Sequence, residues 1–252
     1  MTVDLTGMTA VVTGGNNGIG RALAIGMAIA GANVAVWARN PARTAETVEQ
    51  IEKLGVRSIG VACDVTDEDA VKSAMDRTVS ELGLLGCFVA NSGVSVEAPI
   101  AEMSLDTWRH VLETNLDGTF LCTREAARRF VKQDTGGSMV VVSSTISRYG
   151  GAGMSAYAAS KTGLLGLSRT LAVELAGHRV RCNTLIPGWT KTSMNEHLQA
   201  NEKFVRATTG RTPARRWAEP EEFHEVAAFL ADPSLTFHTG NEVVVDGGYT
   251  IF

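Results

Sequence analysis

The feature that most constrains the fold is an alternation of two kinds of segment along the whole chain. Short runs of apolar and β-branched residues, without a polar residue at every second position, alternate with longer amphipathic stretches. Strands of this kind are typical of parallel sheets that are covered on both faces. The predicted strands are Thr9–Thr13, Asn33–Ala38, Ser58–Ala62, Leu85–Ala90, Ser138–Ser143, Val180–Ile186 and Glu242–Val245.

The amphipathic stretches between these runs predict helices with one apolar face. Alternation of strands and helices predicts an α/β fold, a Rossmann-type doubly wound domain whose seven-stranded parallel sheet is flanked by helices. No Pro/Ser-rich linker or shift in composition divides the 252 residues, so we predict one domain over residues 1–252. The predicted helices are Arg21–Ala30, Ala42–Leu54, Asp67–Leu82, Leu105–Val131, Ala156–Glu174 and Glu219–Ala231.

One long segment, Gly188–Arg216, has no obvious strand or core helix, although it contains Trp189, Met194 and Phe204. Long excursions in compact domains are usually lids or binding loops, and a surface insertion is the alternative. We therefore expect residues 188–216 to form a substrate loop.

Charge and residue counts exclude several classes of protein. The net charge of −4 argues against nucleic acid or an anionic membrane as a partner. The five histidines have no metal-ligand spacing, so no metal site is predicted. The four cysteines form no C-x-x-C pair and the N-terminus has no long apolar stretch, which together predict reduced thiols and a cytoplasmic location.

A glycine-rich turn follows the first predicted strand and opens the first predicted helix, with the sequence Thr13-Gly14-Gly15-Asn16-Asn17-Gly18-Ile19-Gly20. Backbone N–H groups at the start of a helix bind a pyrophosphate. Gly14 permits the tight turn, Gly18 permits close approach of a ligand, and Gly20 permits close packing of helix on strand. The spacing is G-x-x-x-G-x-G, and its position between strand and helix predicts a nucleotide site.

The second predicted strand ends at Arg39 and Asn40, where dinucleotide folds face the adenosine ribose. An acidic residue there binds the 2′-OH of NAD, whereas an arginine accommodates the 2′-phosphate of NADP. Because an arginine is present and no acid is, NADP(H) is the predicted cofactor. A solvated arginine at a strand end is the alternative, and use of NAD(H) stays open.

Four residues are candidates for a shared catalytic site. Tyr157 and Lys161 lie four positions apart in a predicted helix and therefore on one face. A cation beside a phenol favours the phenolate, which makes the tyrosine a better base. Ser144 follows a predicted strand at the sheet edge where ligands collect. Asn115 lies inside a helical pattern that disfavours asparagine. A packed surface cation, a capping serine and an exposed asparagine are the structural alternatives.

Taken together, these motifs resemble the short-chain dehydrogenase/reductase family, in its compact branch of about 250 residues that includes 3-oxoacyl-acyl-carrier-protein reductases and sugar and polyol dehydrogenases. The resemblance covers essentially the whole chain, and thirteen positions separate Ser144 from Tyr157 as the family pattern requires. Its parts, in order, are Thr13-Gly14-x-x-x-Gly18-Ile19-Gly20, Asp64, Asn91-Ser92-Gly93, Asn115, Ser144, Tyr157-x-x-x-Lys161, Pro187-Gly188, Thr239-Gly240 and Val245-Asp246-Gly247-Gly248.

The resemblance implies an enzyme that transfers a hydride between NADP(H) and a ketone or secondary alcohol. Tyr157 would be the general acid in reduction and the base in oxidation. Lys161 would bind the nicotinamide ribose and lower the pKa of the tyrosine. Ser144 would hold and polarise the substrate oxygen, and Asn115 would support a water-linked proton relay.

The resemblance also implies which residues contact the dinucleotide. Asp64 and Val65 would line the adenine pocket, and Asn91 and Gly93 would pass beside the adenosine ribose. Residues 187–192 would contact the nicotinamide carboxamide and the pyrophosphate. The full expected set is Gly14, Asn16, Asn17, Gly18, Ile19, Arg39, Asn40, Asp64, Val65, Asn91, Gly93, Tyr157, Lys161, Pro187, Gly188, Thr190 and Thr192.

Two positions depart from the family pattern. Ala90 and Ser92 alter the usual Asn-Asn-Ala-Gly motif, although Asn91 and Gly93 remain. Asn17 stands where many NADP-preferring members carry a basic residue, so the NADP prediction depends mainly on Arg39.

The substrate is expected between Ser144, Tyr157 and the 188–216 segment. Such a site would fit a small polyol, a sugar acid, a 3-oxoacyl thioester or a cyclic ketone, and the sequence does not rank them. The expected lining residues are Val94, Ile146, Arg148, Tyr149, Trp189 and Met194.

The sequence also bears on partners other than the substrate. A basic helix face could dock an acyl-carrier protein, and a solvated face is the alternative. Family members with this C-terminal pattern form homotetramers, with contacts expected at helices Leu105–Val131 and Ala156–Glu174 and at Tyr249–Phe252. The basic face consists of Arg124, Arg128, Arg129 and Lys132.

Two other classes of protein on this fold are less compatible with the sequence. A cofactor-binding scaffold would normally lack the Tyr157 and Lys161 pair, and epimerases or dehydratases on this fold tend to be longer.

Overall fold

Seven parallel strands form one sheet in this computed structural model, which describes residues 3–252. The strands are β1 (Thr9–Thr13), β2 (Asn33–Ala38), β3 (Ser58–Ala62), β4 (Leu85–Ala90), β5 (Gly137–Val142), β6 (Val180–Pro187) and β7 (Glu242–Val245). Their order across the sheet is β3-β2-β1-β4-β5-β6-β7. The predicted doubly wound α/β fold, a single Rossmann-like domain, is therefore confirmed.

Helices connect successive strands and cover both faces of the sheet. They are α1 (Gly18–Ile29), α2 (Pro41–Glu52), α3 (Glu68–Leu82), α4 (Leu105–Leu112), α5 (Gly118–Gln133), α6 (Ser155–Glu174), α7 (Glu196–Gln199), α8 (Glu202–Arg211) and α9 (His224–Ala231). One apolar cluster lies between the sheet and α3, α5 and α6, and a second lies between the sheet and α1 and α9. Both faces of the sheet are consequently buried.

Alternate residues of each strand serve the two clusters. In β1, Val11 belongs to the first cluster, whereas Ala10 and Val12 belong to the second. All three are fully buried, because successive strand side chains point to opposite faces. The unbroken apolar runs in the sequence are explained by this two-sided burial.

The order of the sheet reverses between β1 and β4, which are neighbours although five other elements separate them in sequence. Their carboxyl ends are joined by Thr13, whose Oγ1 accepts hydrogen bonds from the backbone N–H groups of Asn91 at 2.9 Å and Ser92 at 3.0 Å. In open α/β sheets, the crevice at this reversal is where ligands bind.

The predicted helix Leu105–Val131 is wrong in one detail. Five residues of π-helix, Glu113–Asp117, separate α4 from α5. The wider turn directs Asn115 inward, where its amide hydrogen-bonds both the N–H and the C=O of Val94. These long-range bonds have no local sequence signal.

The segment 188–216 is more structured than expected. After β6 it forms a short 3₁₀ turn and the helices α7 and α8. Trp189 stacks on Trp217 with ring centroids 5.1 Å apart and meets Phe204 edge-on at 5.2 Å. The segment is therefore held by an aromatic cluster that it shares with Trp217, the residue just after its end.

Across residues 3–252, no helix combines the length and the apolar character needed to cross a membrane.

Candidate active site

The glycine-rich turn brings α1 very close to β4. Gly18 has a φ of +48°, and a Cβ at this position would lie 2.9 Å from Cγ2 of Thr192. A Cβ at Gly20 would approach both the Gly14 carbonyl oxygen and Nδ2 of Asn91 closer than 3.0 Å. Side chains at these two positions would therefore block the contact of the turn with its neighbours.

Asn91 holds the turn in place from the end of β4. Its Nδ2 donates hydrogen bonds to the carbonyl oxygen of Thr13 at 3.0 Å and to that of Gly14 at 3.4 Å. Asn91 thus uses its side chain to support the turn, while the residue itself lines the cavity described below.

Tyr157 and Lys161 project from one face of α6 toward Ser144, at the carboxyl edge of the sheet. Lys161 is only 4% exposed, and its Nζ donates to the carbonyl oxygen of Val142 at 2.9 Å and lies 5.8 Å from the Tyr157 ring centroid. Burial lowers the pKa of Lys161 to about 8.

The expected lowering of the Tyr157 pKa by Lys161 is wrong for this structure. Burial raises the pKa of Tyr157, and the effect that opposes burial is a hydrogen bond with the Ser144 hydroxyl. The ammonium group of Lys161 donates its hydrogen bond to the Val142 carbonyl and not to Tyr157. Tyr157 therefore favours its protonated form and can donate a proton at Oη.

Asn115 lies behind the cavity and is fully buried. Its Oδ1 accepts from the N–H of Val94 at 2.7 Å, and its Nδ2 donates to the Val94 carbonyl at 2.9 Å and to Ser160 Oγ at 3.1 Å. The side chain fixes the chain that follows β4. Among the predicted catalytic and cofactor-binding residues, Asn115 is the one that does not line the cavity.

At the far end of the cavity, Arg39 lies at the end of β2. Its guanidinium is 3.7 Å from the Asp64 carboxylate, and its side chain is 65% exposed. Backbone and side-chain hydrogen bonds from Thr66 hold the pKa of Asp64 below its usual value, against the effect of burial and with help from Arg39. Asn40 caps α2 by accepting from the N–H of Arg43 at 3.1 Å.

The 188–216 segment closes over the glycine-rich turn. Asn17 donates a hydrogen bond from Nδ2 to Ser193 Oγ, and Asn16 donates to Asn40 O at 3.2 Å and Thr44 Oγ1 at 3.0 Å. The two asparagines therefore connect the turn to elements on either side of it.

One cavity of about 830 Å³ runs along the carboxyl edge of the sheet and contacts all of these elements. It brings together every residue of the expected cofactor set, along with Ser144. Of the expected substrate-lining residues, it contacts Val94, Ile146, Tyr149, Trp189 and Met194.

Two expectations about surface residues are corrected, and one of the two interpretations of the basic face gains support. Arg148 is absent from the cavity wall because it forms an ion pair with Glu242. Tyr249 is 6% exposed and packs on Tyr149 with ring centroids 5.5 Å apart, so it belongs to the cavity wall and not to an exposed C-terminal contact. In the basic face, the arginines at 124, 128 and 129 each pair with an acidic side chain of the same protomer, which favours the solvated-face interpretation.

Sequence reasoning missed several cavity residues. Arg43 lies in the first turn of α2, where the helix dipole disfavours a cation, and that unfavourable position is a signal for an anionic ligand. Arg211, at the end of α8, had no such signal, because its place in the wall depends on tertiary packing. The other missed wall residues include Glu97, His197, Leu198, Phe204, Thr208 and Tyr249.

The fold and its cavity define a class, namely Rossmann-like α/β proteins with a crevice at the carboxyl edge of the sheet. A family model described as enoyl-(acyl carrier protein) reductase matches residues 14–250. This chain belongs to the short-chain dehydrogenase/reductase family of oxidoreductases.

Individual relatives match over nearly their full length. The cis-4-hydroxycyclohexanecarboxylate dehydrogenase of Sinomonas cyclohexanicum is 40% identical over 244 residues, 96% of each chain. The 2-dehydro-3-deoxy-D-gluconate 5-dehydrogenase of Escherichia coli (strain K12) is 33% identical over 245 residues, 97% of this chain and 96% of that protein. A crystal structure of a gluconate 5-dehydrogenase from Burkholderia cenocepacia J2315, in complex with NADP and tartrate, superposes with a TM-score of 0.94 at 29% identity, covering 100% of this chain and 98% of that one.

Proposed function

We propose that this protein is an NADP(H)-dependent oxidoreductase that interconverts a ketone and a secondary alcohol, with Tyr157 as the general acid and base. The observation that carries the proposal is that one cavity joins the glycine-rich turn, Arg39 and the Ser144, Tyr157 and Lys161 side chains. A phosphate-binding turn and a proton donor in the same crevice are what hydride transfer to a carbonyl requires.

The residues present fit a nicotinamide dinucleotide. Four of the seven residues at 14–20 are glycines, so the backbone N–H groups of the turn allow close approach of a pyrophosphate. A Cβ at Gly93 would approach Asn115 Oδ1 at 3.2 Å and Lys161 Nζ at 3.4 Å. The nicotinamide supplies the hydride when it is bound. Lys161 would hold the nicotinamide ribose, and the segment after Pro187 would hold the carboxamide through Thr190 and Thr192.

The protein would supply orientation and the proton. In reduction, the Ser144 hydroxyl holds the carbonyl oxygen and Tyr157 Oη gives its proton to that oxygen; in oxidation, Oη takes the proton back. The buried Lys161 places a cation 5.8 Å from the centroid of the Tyr157 ring. Asn115 would support the path that returns the proton to solvent, through the backbone that it positions.

The cofactor preference depends on the adenosine end. Arg39 and Arg43 favour a 2′-phosphate. The proximity of Asp64 to Arg39 favours the second candidate, a dual-cofactor or NAD-preferring dehydrogenase of sugars and polyols, because this carboxylate competes for the same guanidinium.

The substrate class is suggested by relatives and by the cavity wall. The Sinomonas, E. coli and Burkholderia relatives are, by name, dehydrogenases of a cyclic hydroxy acid, a sugar acid and gluconate. We propose a sugar acid or cyclic hydroxy acid rather than a carrier-bound thioester, since the arginines of the basic face are already ion-paired.

Oligomeric state and location remain predictions. Phe120 on α5, Val173 on α6 and the C-terminal Ile251 and Phe252 are exposed apolar side chains, which supports the expected homotetramer at these helices and at the C-terminus. All four cysteines are buried and free, which accords with the reducing cytoplasm that we propose as its location.

The test of the proposed function is Tyr157→Phe. This change removes only Oη, so we expect kcat for ketone reduction to fall by about 10²- to 10⁴-fold, the range for loss of a general acid. NADPH absorbance would be followed with a panel of oxo acids, sugars and cyclic ketones.

Binding provides the control. The dissociation constant for NADPH, measured by calorimetry, should change little in Tyr157→Phe, and circular dichroism should match wild type. Wild-type turnover in the variant would contradict the role given to Tyr157, and failure of wild type to bind either dinucleotide would contradict the function as a whole.

A further inference from the structure

Arg211 lies in the last turn of α8, on the wall of the cavity that also contains Ser144 and Tyr157. The carbon at the centre of its guanidinium is 4.5 Å from the Tyr249 ring centroid and 5.1 Å from the Tyr149 ring centroid. The guanidinium therefore rests on an aromatic wall that belongs to the substrate end of the cavity.

The charge of Arg211 has no anionic partner among residues 3–252, and its side chain makes no hydrogen bond there. Nearby cations, in contrast, each form an ion pair with a carboxylate. The pairs are Arg148 with Glu242, Lys191 with Glu219 and Arg216 with Glu222.

Within the described range 3–252, the one carboxylate that lines this part of the wall is Glu97, whose Oε1 lies 3.6 Å from Nε2 of His197. Lys161, the other cation at this end, adds positive charge. The substrate end of the cavity is consequently favourable for an anion.

The end of α8 is held in place by neighbouring contacts. Trp217 Nε1 donates to Thr208 Oγ1 at 2.9 Å, and Thr212 Oγ1 donates to the Thr208 carbonyl at 2.8 Å. The N–H of Ala214 donates to the Gly247 carbonyl at 3.1 Å, which attaches the chain after α8 to the C-terminal segment. Arg211 thus extends from a fixed backbone.

A guanidinium that rests on aromatic rings uses its flat faces and leaves its N–H groups free at the edge. Two parallel N–H groups match the two oxygens of a carboxylate. We propose that Arg211 binds a carboxylate of the substrate and selects hydroxy and oxo acids over neutral alcohols and ketones. This inference rests on the proposed function, since it names the residue that would set specificity in the same site.

Tyr149 connects this carboxylate position to the reacting end. Its hydroxyl lies 3.4 Å from Thr145 Oγ1, and Thr145 directly follows Ser144. Burial raises the pKa of Tyr149 to about 12, so its hydroxyl remains a neutral hydrogen-bond donor at physiological pH. The substrate would therefore extend from Ser144, past Tyr149, to a carboxylate at Arg211.

Arg211→Gln tests the inference, with Arg206→Gln as a matched control on the same helix but outside the cavity wall. Calorimetry with the NADP⁺-loaded protein compares cyclohexanecarboxylate with cyclohexanecarboxamide, which differ mainly in charge. Turnover is measured in parallel with 4-oxocyclohexanecarboxylate and its amide, following NADPH.

Wild type and Arg206→Gln should bind the acid more tightly than the amide. Arg211→Gln should weaken acid binding and lower kcat/KM for the oxo acid by about 10- to 150-fold, the range for a hydrogen bond to a charged group, and leave the amide unchanged. Equal binding of acid and amide by wild type, or unchanged acid binding in Arg211→Gln, would overturn the inference. Acid binding that depends on Arg211, with neither ketone reduced, would support the carboxylate site and count against the proposed function.

Discussion

At the scale of single residues, the adenosine end of the cavity contains two arginines in different situations. Arg39 faces Asp64 at 3.7 Å, whereas Arg43 makes no ion pair with any residue in the 3–252 range. A 2′-phosphate would therefore meet one partly neutralised cation and one that is free to respond to it.

The first prediction concerns these two side chains. Arg39→Asp should shift the ratio of kcat/KM values from NADP toward NAD by about tenfold, because it replaces an attraction to the 2′-phosphate with repulsion. Arg43→Gln should shift the ratio in the same direction by about threefold, since exposed charges are screened by water and salt. Steady-state kinetics with each dinucleotide at saturating substrate would measure both.

Arg57→Gln is the matched control for this prediction. Arg57 immediately precedes β3 and so lies at the amino edge of the sheet, opposite the cavity. Arg57→Gln should leave the ratio of the kcat/KM values for NADP and NAD unchanged. An unchanged ratio in Arg39→Asp and Arg43→Gln as well would mean that other groups recognise the 2′-phosphate.

Some residues of the cavity could be predicted from local sequence patterns, whereas others could not. Ser144, Tyr157 and Lys161 were predictable because strand ends and helical spacing are local, and the cavity brings them together. Arg211 was not, because it becomes part of the site only through contacts with two tyrosines, one 62 residues earlier and one 38 residues later. Burial also reversed the expected direction of the Tyr157 pKa, since desolvation depends on tertiary structure.

At the scale of elements, the start of α1 determines how closely the turn approaches β4. Gly20 has both the Gly14 carbonyl and Asn91 Nδ2 where a Cβ would stand. The hydrogen bonds from Asn91 to the turn depend on this proximity. The shape of the turn, where we propose that the pyrophosphate binds, therefore depends on a position that need not touch the ligand.

The second prediction is that Gly20→Ala destabilises the protein by about 1–3 kcal/mol, the usual cost of overpacking, and weakens NADPH binding by displacing the turn. Urea unfolding and calorimetry measure the two effects. Gly210→Ala is the control, because a Cβ there, in α8, would have no neighbour within 4 Å. Its free energy of unfolding should stay within about 1 kcal/mol of wild type. Equal behaviour of the two variants would contradict the close-packing role.

Elements with strong local patterns were predicted well. β1, β2, β3, β4 and β7 have the predicted bounds, because each is a short run rich in apolar and β-branched residues. The π-helical turn and α8 were missed. The first is stabilised by Asn115 bonding to Val94, and the second packs through an aromatic cluster that includes Trp189, so neither leaves a local periodicity.

At the scale of the whole molecule, burial on both faces of the sheet also determines the response to alkaline pH. Burial raises the pKa of the Cys87 thiol from its usual 9.0 to about 12 and that of Cys182 to about 11. Unfolded chains ionise these thiols at lower pH than the folded protein does. The unfolded state then holds fewer protons, so stability is complete below pH 9 and declines as pH rises toward the folded-state pKa values.

Lys161 affects the pH dependence of stability in the opposite direction. Burial lowers its pKa from 10.5 to about 8, so between these values the unfolded chain holds the extra proton. Its contribution therefore makes stability rise with pH in that window and partly offsets the thiols. The difference in free energy of unfolding between a variant and wild type, measured at each pH, separates the contributions of the thiols and of Lys161. Groups that are present in both proteins cancel in this difference.

The last prediction uses this cancellation at Cys87, a fully buried residue of β4. Cys87→Ala removes one ionisable group, so the decline in its free energy of unfolding between pH 9 and 11 should be shallower than that of wild type by about 1.4 kcal/mol per pH unit. Urea unfolding under reducing conditions would measure the slope. Val89→Ala, in the same strand and also buried, creates a void without removing a titratable group, so its stability curve should run parallel to wild type. A Cys87→Ala curve that also ran parallel would mean that the thiol ionises at the same pH in the folded and unfolded chains, which its burial between two layers of helices argues against.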